Sequence, residues 1–468
     1  MSSSSAPSSP EAALAVRFGG IFLMGLAMLI PLGFVNNLVD ERGMRYGGVL
    51  ADIAQTWGDD QVLQGPVLVV PFVEAHHSTR TVVDDAGVPH QIPEVSYHAR
   101  RAVFLPDALD LAIDLQEERR YRGIYESLVY TATVVVKGSF GALDPTALSD
   151  QVHTVEWDKA IWAMGLSDTS AIAEVGALDW GGEAAELSPG ARVTELLSSG
   201  FHAPVPSLSD EGDRHDFAIA MTLRGSGGVR FAPTAKTTDV VIRSPWQHPS
   251  FQGSPSKRSI DGSGFVAEWS IPHLTRNYPQ EWVMERETHQ LFEGLAGVDL
   301  FEPVALYSKV ERAVKYGILF VFLTFLIFVL FELVAGVRLR LVQYCLVGFS
   351  LCLFYVTLLA LAEHTSFGTG YLAAAAAAVG MIAAYTGAAL RSAARGAVVA
   401  AVLGGLYAVL FAILRMEDYA LLAGAGLLLT ATAALMWATR HLEAPAPAVT
   451  PDPGPVEPSD GAPTEEAA

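Results

Sequence analysis

Cysteine is nearly missing from this sequence: there are two, Cys345 and Cys352, and both lie inside an apolar run. Seven residues apart on a helix, they share a face and read as small apolar packing groups, not as a disulfide or redox pair. Residues 40–315 have no cysteine, which is compatible with an oxidising compartment without demanding one. The chain also lacks the nucleophile signature G-x-S-x-G, a phosphate-binding glycine loop, H-E-x-x-H and any cysteine-based metal motif. No cofactor or metal site is therefore expected, and the chain is not expected to be an enzyme. His76 and His77 have no acidic or histidine partner at ligand spacing and read as a solvated strand end. His248 in SPWQHPSF and His273 in SIPHL lie in turn-rich β sequence. A Ser–His–Asp set assembled from the many Ser and Asp residues around them is no more specific here than in most domains of this size.

Basic charge is scarce as well. Between Asp40 and Lys315 stand 23 Lys and Arg against 39 Asp and Glu, a net of −16. That balance argues against nucleic acid as a partner. Anionic lipid headgroups would repel it too, so the segment as a whole is not expected to lie flat on a membrane, although a local basic patch is free to do so.

What the chain has in quantity is apolar sequence, gathered in two places. Residues 2–10, SSSSAPSSP, are of low complexity, and the segment 1–17 is expected to be disordered. A 22-residue apolar run, 18–39, follows between Arg17 and Asp40-Glu41-Arg42, matching the ~20 residues that cross ~30 Å of hydrocarbon. It ends FVNNLVDER without a small-x-small cleavage site, so it reads as an uncleaved anchor. Tyr46, Val49, Leu50, Ile53 and Trp57 recur at helical spacing, which predicts an amphipathic helix to about Trp57, ended by Gly58, within a 40–64 helix-and-linker segment.

From 65 to 315 the period becomes that of strands. VLVVPFVEA, LDLAIDLQ, YTATVVVKGSF, FAIAMTLRG, TTDVVIRS and GFVAEWSIP are rich in Val, Ile, Tyr and Phe and bounded by Gly, Pro and Asp. The segment reads as one predominantly β, sandwich-like domain, or as two small sandwiches in tandem. Five further apolar runs then follow, 316–337, 341–361, 367–390, 397–414 and 419–439. With the first run they predict six transmembrane helices, one N-terminal and five C-terminal, so the fold class is an α+β membrane protein. An even number of spans puts both termini on one side. If that side is cytoplasmic, Arg338, Arg340, Arg391, Arg395 and Arg440 all fall inside, as short cytoplasmic connections favour. Glu363, His364, Arg415, Glu417 and Asp418 then fall outside, and the β domain is extracytoplasmic. In the later spans Gly380, Ala384 and Ala388, and Gly404 and Ala408, recur every four residues and are expected to let helices approach closely. The tail 440–468 is Pro-rich and acidic and reads as a disordered cytoplasmic extension.

Few polar groups interrupt the apolar runs. Glu332 lies six residues before Arg338, roughly 9 Å along a helix, so snorkelling or pairing with Arg338 relieves its cost; a ligand or proton role is the alternative. Glu363 and His364, at the outer end of a span, read as a helix-end cap, or as a pair that titrates or contacts the β domain.

Five blocks carry a resemblance: ADIAQTWGDDQVLQGPVLVVPF, RRYRGIYESLVYTATVVVKGSF, SPWQHPSFQG with GFVAEW, GVDLFEPVALYSKVERAVKYGILF, and VQYCLVGFSLCLFYVTLLALAEHTSF. In sequence order over about residues 40–390 they resemble the CreD family, inner-membrane proteins of Gram-negative bacteria. The resemblance implies a multi-pass protein of the inner (cytoplasmic) membrane with a periplasmic domain and cytoplasmic termini. It further implies a place in the CreBC regulon and a role in cell-envelope integrity and stress response, including stress from β-lactams and colicin tolerance. It carries over no catalytic residue, and the tail from Ala444 departs from the pattern. Apart from the lipid bilayer, the expected partner is an envelope protein, lipid or glycan held by the β domain. Transport or flipping of an envelope component through the helices, using Glu332 or Glu363 and His364, is the alternative, and a periplasmic hydrolase a third.

Overall fold

The computed structural model describes residues 10–83, 85, 89–205, 208, 214–292, 294–300, 306–335, 339–416 and 420–440. The segment before residue 10, the tail from 441, Arg338, and Glu417 with Asp418 lie outside the described residues. The chain forms two compact units. One contains the chain up to Gly33, Arg312–Thr357 and the chain from Tyr371 onward; the other contains Phe34–Glu311 and Leu358–Gly370.

The first unit is helical. Over the whole chain, helix α1 spans Pro10–Ala27 and α2 Leu29–Trp57; α3 spans Leu306–Lys315, α4 Gly317–Ala335, α5 Leu341–Ala362, α6 Phe367–Ala389, α7 Ala393–Arg415 and α8 Ala420–Thr439, with most of α2, the start of α3, the end of α5 and the start of α6 falling in the second unit. The helical part thus begins earlier than the apolar pattern suggests. Pro10 is its first residue, a position where the missing N–H costs nothing and the fixed φ suits a helix. Among the described residues, four helical stretches are long and apolar enough to cross a membrane: Val16–Trp57, Leu341–Ala362, Phe367–Ala389 and Ala393–Arg415. Leu306–Lys315 with Gly317–Glu332 makes a fifth when the bent pair is counted as one span. Both cysteines are free, and Cys352 is buried.

The small-residue pattern misplaced the close helix approach. A Cβ at Gly380 or Gly404 would meet nothing within 4 Å, whereas one at Gly396 would stand 2.9 Å from the Ala383 carbonyl and 3.1 Å from Gly387. The α6–α7 approach thus uses Gly387 and Gly396, beside the short connection that joins the two helices.

The second unit is built on two sheets, of ten and nine strands. The first is organised on strand β1 (Gln61–Val83), which pairs antiparallel with β2 (Pro89–Phe104) from Leu68↔Phe104 to Val83↔Pro89 and parallel with Gly228–Phe231. The second contains β3 (Ala108–Arg122) and β4 (Tyr125–Phe140), a hairpin in register from Ala108↔Ser139 to Arg122↔Tyr125. β3 also lies parallel to Thr237–Ser244, and β4 antiparallel to His215–Ser226. Early and late strands thus share each sheet, so the domain is interleaved rather than divided into consecutive halves.

The run Val67–Val70 explains why β1 reads as continuously apolar. Side chains alternate along a strand. Leu68 and Val70 enter a large cluster with residues of both sheets, among them Phe104, Leu111, Ile113, Val134 and Trp162. Val67 and Val69 enter a second cluster with Val103, Leu197, Tyr278 and Trp282. All four are at most 2% exposed, and each such side chain is worth about 1.5–3 kcal/mol relative to exposure. Farther along β1 the buried Glu74 carboxylate accepts from Ser149 Oγ at 2.6 Å, Arg286 Nη2 at 2.5 Å and Arg100 Nε at 3.1 Å. It ties β1 to β2 and to the 283–287 turn.

The second half of α2 belongs to the same unit. Trp57 lies between the guanidinium groups of Arg120, 4.1 Å from its ring, and Arg224, at 4.7 Å, and its indole N–H donates to the Tyr130 carbonyl at 3.2 Å. The helix stops where expected. Gly58 has φ 141°, and a Cβ there would fall 2.7 Å from the Arg224 carbonyl oxygen.

Candidate functional site

Five segments of the β-domain unit meet around a cavity of about 590 Å³. They are the second half of α2 with Tyr46, the far end of the β3–β4 hairpin, the loop Pro245–His248, the first turn of α3, and the turn after α5. α2 supplies Arg42 and Tyr46 from one face, because residues four apart on a helix are neighbours. The Tyr46 ring lies 5.9 Å from that of Tyr125 and 5.6 Å from that of Tyr307, centre to centre. Trp246 is 8% exposed, and its indole N–H donates to the His248 carbonyl at 3.1 Å, which closes the loop on itself. Glu117, Arg119 and Glu126 supply charge, and Arg119 pairs with Glu126.

Glu363 is the buried acid of this cavity. Its side chain is 8% exposed; it accepts a hydrogen bond from the Tyr307 hydroxyl at 3.0 Å and faces Arg42 at 3.7 Å. The residue follows the last turn of α5, with its N–H on the Leu359 carbonyl. A carboxylate there meets the negative end of the helix dipole, so it is not a favourable cap. The phenol and the guanidinium supply the compensation. His364 is exposed, and the two residues expected to act as a pair have different surroundings: Glu363 is turned into the cavity and His364 to the surface.

Glu332 belongs to the helical unit. Arg17 Nη2 donates to both of its oxygens, at 2.9 and 2.7 Å, and also to the Leu339 carbonyl at 2.8 Å, while the Leu339 N–H donates to Glu332 at 2.6 Å. Glu332 is thus paired with Arg17, 315 residues earlier, while Arg338, the partner expected from the spacing, lies outside the described residues. The carboxylate is neutralised and has polar partners on each oxygen, as a charge in an apolar helix requires.

Arg42, Tyr307 and Trp246 were not singled out as site residues, and Tyr46 was noted only for its helical spacing. Arg42 read only as the polar flank of an anchor, and the block SPWQHPSF as turn-rich β sequence. The available signal was the i, i+4 placement of Arg42 and Tyr46 directly after an apolar span. Among the described residues no group of three or more His, Cys, Asp and Glu is arranged to hold a metal ion.

The architecture defines a class: a polytopic membrane protein that carries a large two-sheet domain, with a cavity beside the turn that joins two of its apolar helices. A family model for the inner membrane protein CreD matches residues 13–444, and the chain belongs to that family. It is 29% identical over 429 residues to the inner membrane protein CreD of Escherichia coli (strain K12), covering 91% of this chain and 92% of that one. Among solved structures, a mutant of a two-domain M1 zinc metallopeptidase bound to L-tryptophan overlaps 42% of each chain at 9% identity and a TM-score of 0.20. An M1 zinc metallopeptidase from Deinococcus radiodurans overlaps 36% of this chain and 39% of that one at 9% identity and a TM-score of 0.18. At such scores the overlap bears on neither fold nor activity.

Proposed function

We propose that the protein supports the cell envelope by binding, with the cavity around Glu363 holding an envelope protein, lipid or glycan against the membrane surface. The observation that carries this reading is the convergence of five chain segments on one cavity whose buried acid is held by Tyr307 and Arg42. Tyrosine and tryptophan rings with carboxylate, amide and guanidinium groups suit a ligand that offers both apolar faces and hydrogen-bonding groups. Among the described residues the lining includes His248 but no serine or cysteine for it to activate, and the Thr365 hydroxyl is engaged with the Leu361 carbonyl at 2.8 Å; this favours binding over catalysis. The closed Arg17–Glu332 pair likewise favours binding over transport, because a carboxylate neutralised on both oxygens is poorly placed to carry a proton.

In this reading the chain has six spans, α8 being the last. The termini are cytoplasmic, the two sheets form a sandwich, and the domain is periplasmic. A photo-crosslinking side chain in place of Gln247, an exposed residue of the lining, tests it in growing cells. Specific protein, lipid or glycan adducts are expected, and they should fall several-fold in a Glu363→Gln, Tyr307→Phe background that keeps its fold. Non-specific adducts only, unchanged in that background, would remove the basis of the proposal.

A further inference from the structure

The far end of the β3–β4 hairpin is unlike the rest of an acidic domain. Residues 119–125, RRYRGIY, contain three arginines and no acid. The strands close through Gly123–Ile124, with Gly123 at φ 64°, as a two-residue hairpin turn with glycine first requires. Tyr121 is 67% exposed and Ile124 44%. Arg119, Arg120 and Arg122 keep about half of their side-chain surface, each held by a carboxylate, on Glu126, Glu118 and Asp52 respectively.

The position of this end gives that composition its meaning. Ile124, Tyr125 and Glu126 line the same cavity as Ala362, Glu363 and Thr365, which end α5 and lead into α6. The apolar lengths of α5 and α6 lie in hydrocarbon, and a turn between two such helices lies at its surface. The hairpin end thus adjoins the turn that joins these two apolar helices. Tyrosine is enriched at the headgroup level, with the ring at the acyl boundary and the hydroxyl in the polar layer, and arginine stems lie along apolar surface while their heads reach phosphate.

We propose that the hairpin end 119–125 docks into the headgroup layer of the bilayer that α5 and α6 cross, with Tyr121 and Ile124 at the acyl boundary and the arginines facing lipid phosphates. The docking is independent of what occupies the cavity.

Single nitroxide labels at Tyr121→Cys, Ile124→Cys or Ile260→Cys, in the full chain with both native cysteines changed to alanine, test the docking in vesicles of phosphatidylethanolamine and phosphatidylglycerol. Ile260 is 50% exposed on the edge strand Lys257–Asp261 and serves as the reference. Collision with a water-soluble nickel chelate is expected to be several-fold lower at 121 and 124 than at 260, while collision with oxygen, which concentrates in lipid, is higher. Equal nickel accessibility at all three positions overturns the proposal. So does shielding of 121 and 124 from both reagents, the mark of a protein contact. Benzoylphenylalanine at position 121 in the otherwise unaltered chain asks the same question with the cysteines intact: phospholipid adducts are expected, and adducts to protein alone, or none, overturn the docking.

Discussion

Burial by itself would raise the Glu74 carboxyl above its ordinary value of 4.5, but the hydrogen bonds from Ser149 and Arg100 and the charge of Arg286 outweigh it and hold the group below that value. A carboxyl whose folded value is depressed is charged in the fold at pH values where the unfolded chain has begun to bind a proton. Its contribution is complete above about 4.5 and is lost as the pH falls through the lower folded value. The domain is therefore expected to lose stability on acidification below this point. Glu74→Gln should cost about 2 kcal/mol at neutral pH, less than a fully buried pair, because Arg286 is half exposed. The same change should flatten the acid limb, as read by melting temperature against pH in detergent. An acid limb of unchanged steepness in the variant would assign the loss to other carboxyls. Glu332 shows how little of such pairing is legible along a chain. The carboxylate stood out as an acid in an apolar run, with snorkelling or Arg338, which lies outside the described residues, as its expected relief. The guanidinium that it uses comes from Arg17 at the other end of the sequence.

Elements were legible where the pattern is local. Helical spacing carried α2 to Trp57, and Gly58 marked its end because the chain there takes a backbone conformation that L side chains rarely adopt. Gly58→Ala is expected to destabilise the domain by about 1–3 kcal/mol, from backbone strain and from the approach of the new methyl to the Arg224 carbonyl. Chemical denaturation followed by Trp fluorescence should show it, since Trp57 adjoins the site. A neutral result would mean that the helix end shifts at no cost. The β1 run was equally plain as a strand, but its two burial environments were not, because they depend on partners as distant in sequence as Trp282 and Met284. The α6–α7 approach escaped for a related reason. Four-residue spacing of small residues is common in apolar helices, and which of them meets a neighbour is decided by the connecting turn, which brings Gly387 to Gly396.

At the scale of the whole molecule, a membrane protein with a large insertion was evident from composition, whereas the cavity was not. Its walls come from positions 46, 117, 119, 124–126, 245–248, 306–307, 362–363 and 365, and no local period announces a convergence of that kind. The topology of the chain is testable by parity. Five helices, α4 to α8, follow the β domain, and an odd number of crossings places the tail on the side opposite to the domain. Four crossings would place domain and tail together. Arg340, Arg391, Arg395 and Arg440 stand at alternate ends of these helices, which favours five, with the arginine-bearing ends in the cytoplasm. Leu274→Cys, at a residue 83% exposed in the domain, is therefore expected to react with a membrane-impermeant maleimide in intact spheroplasts. Ser459→Cys in the tail is expected to react only after the membrane is opened. Reaction of both in intact spheroplasts would mean that one helix after the domain does not cross. Reaction of Ser459→Cys alone would invert the protein and place the cavity and the hairpin end on the cytoplasmic leaflet.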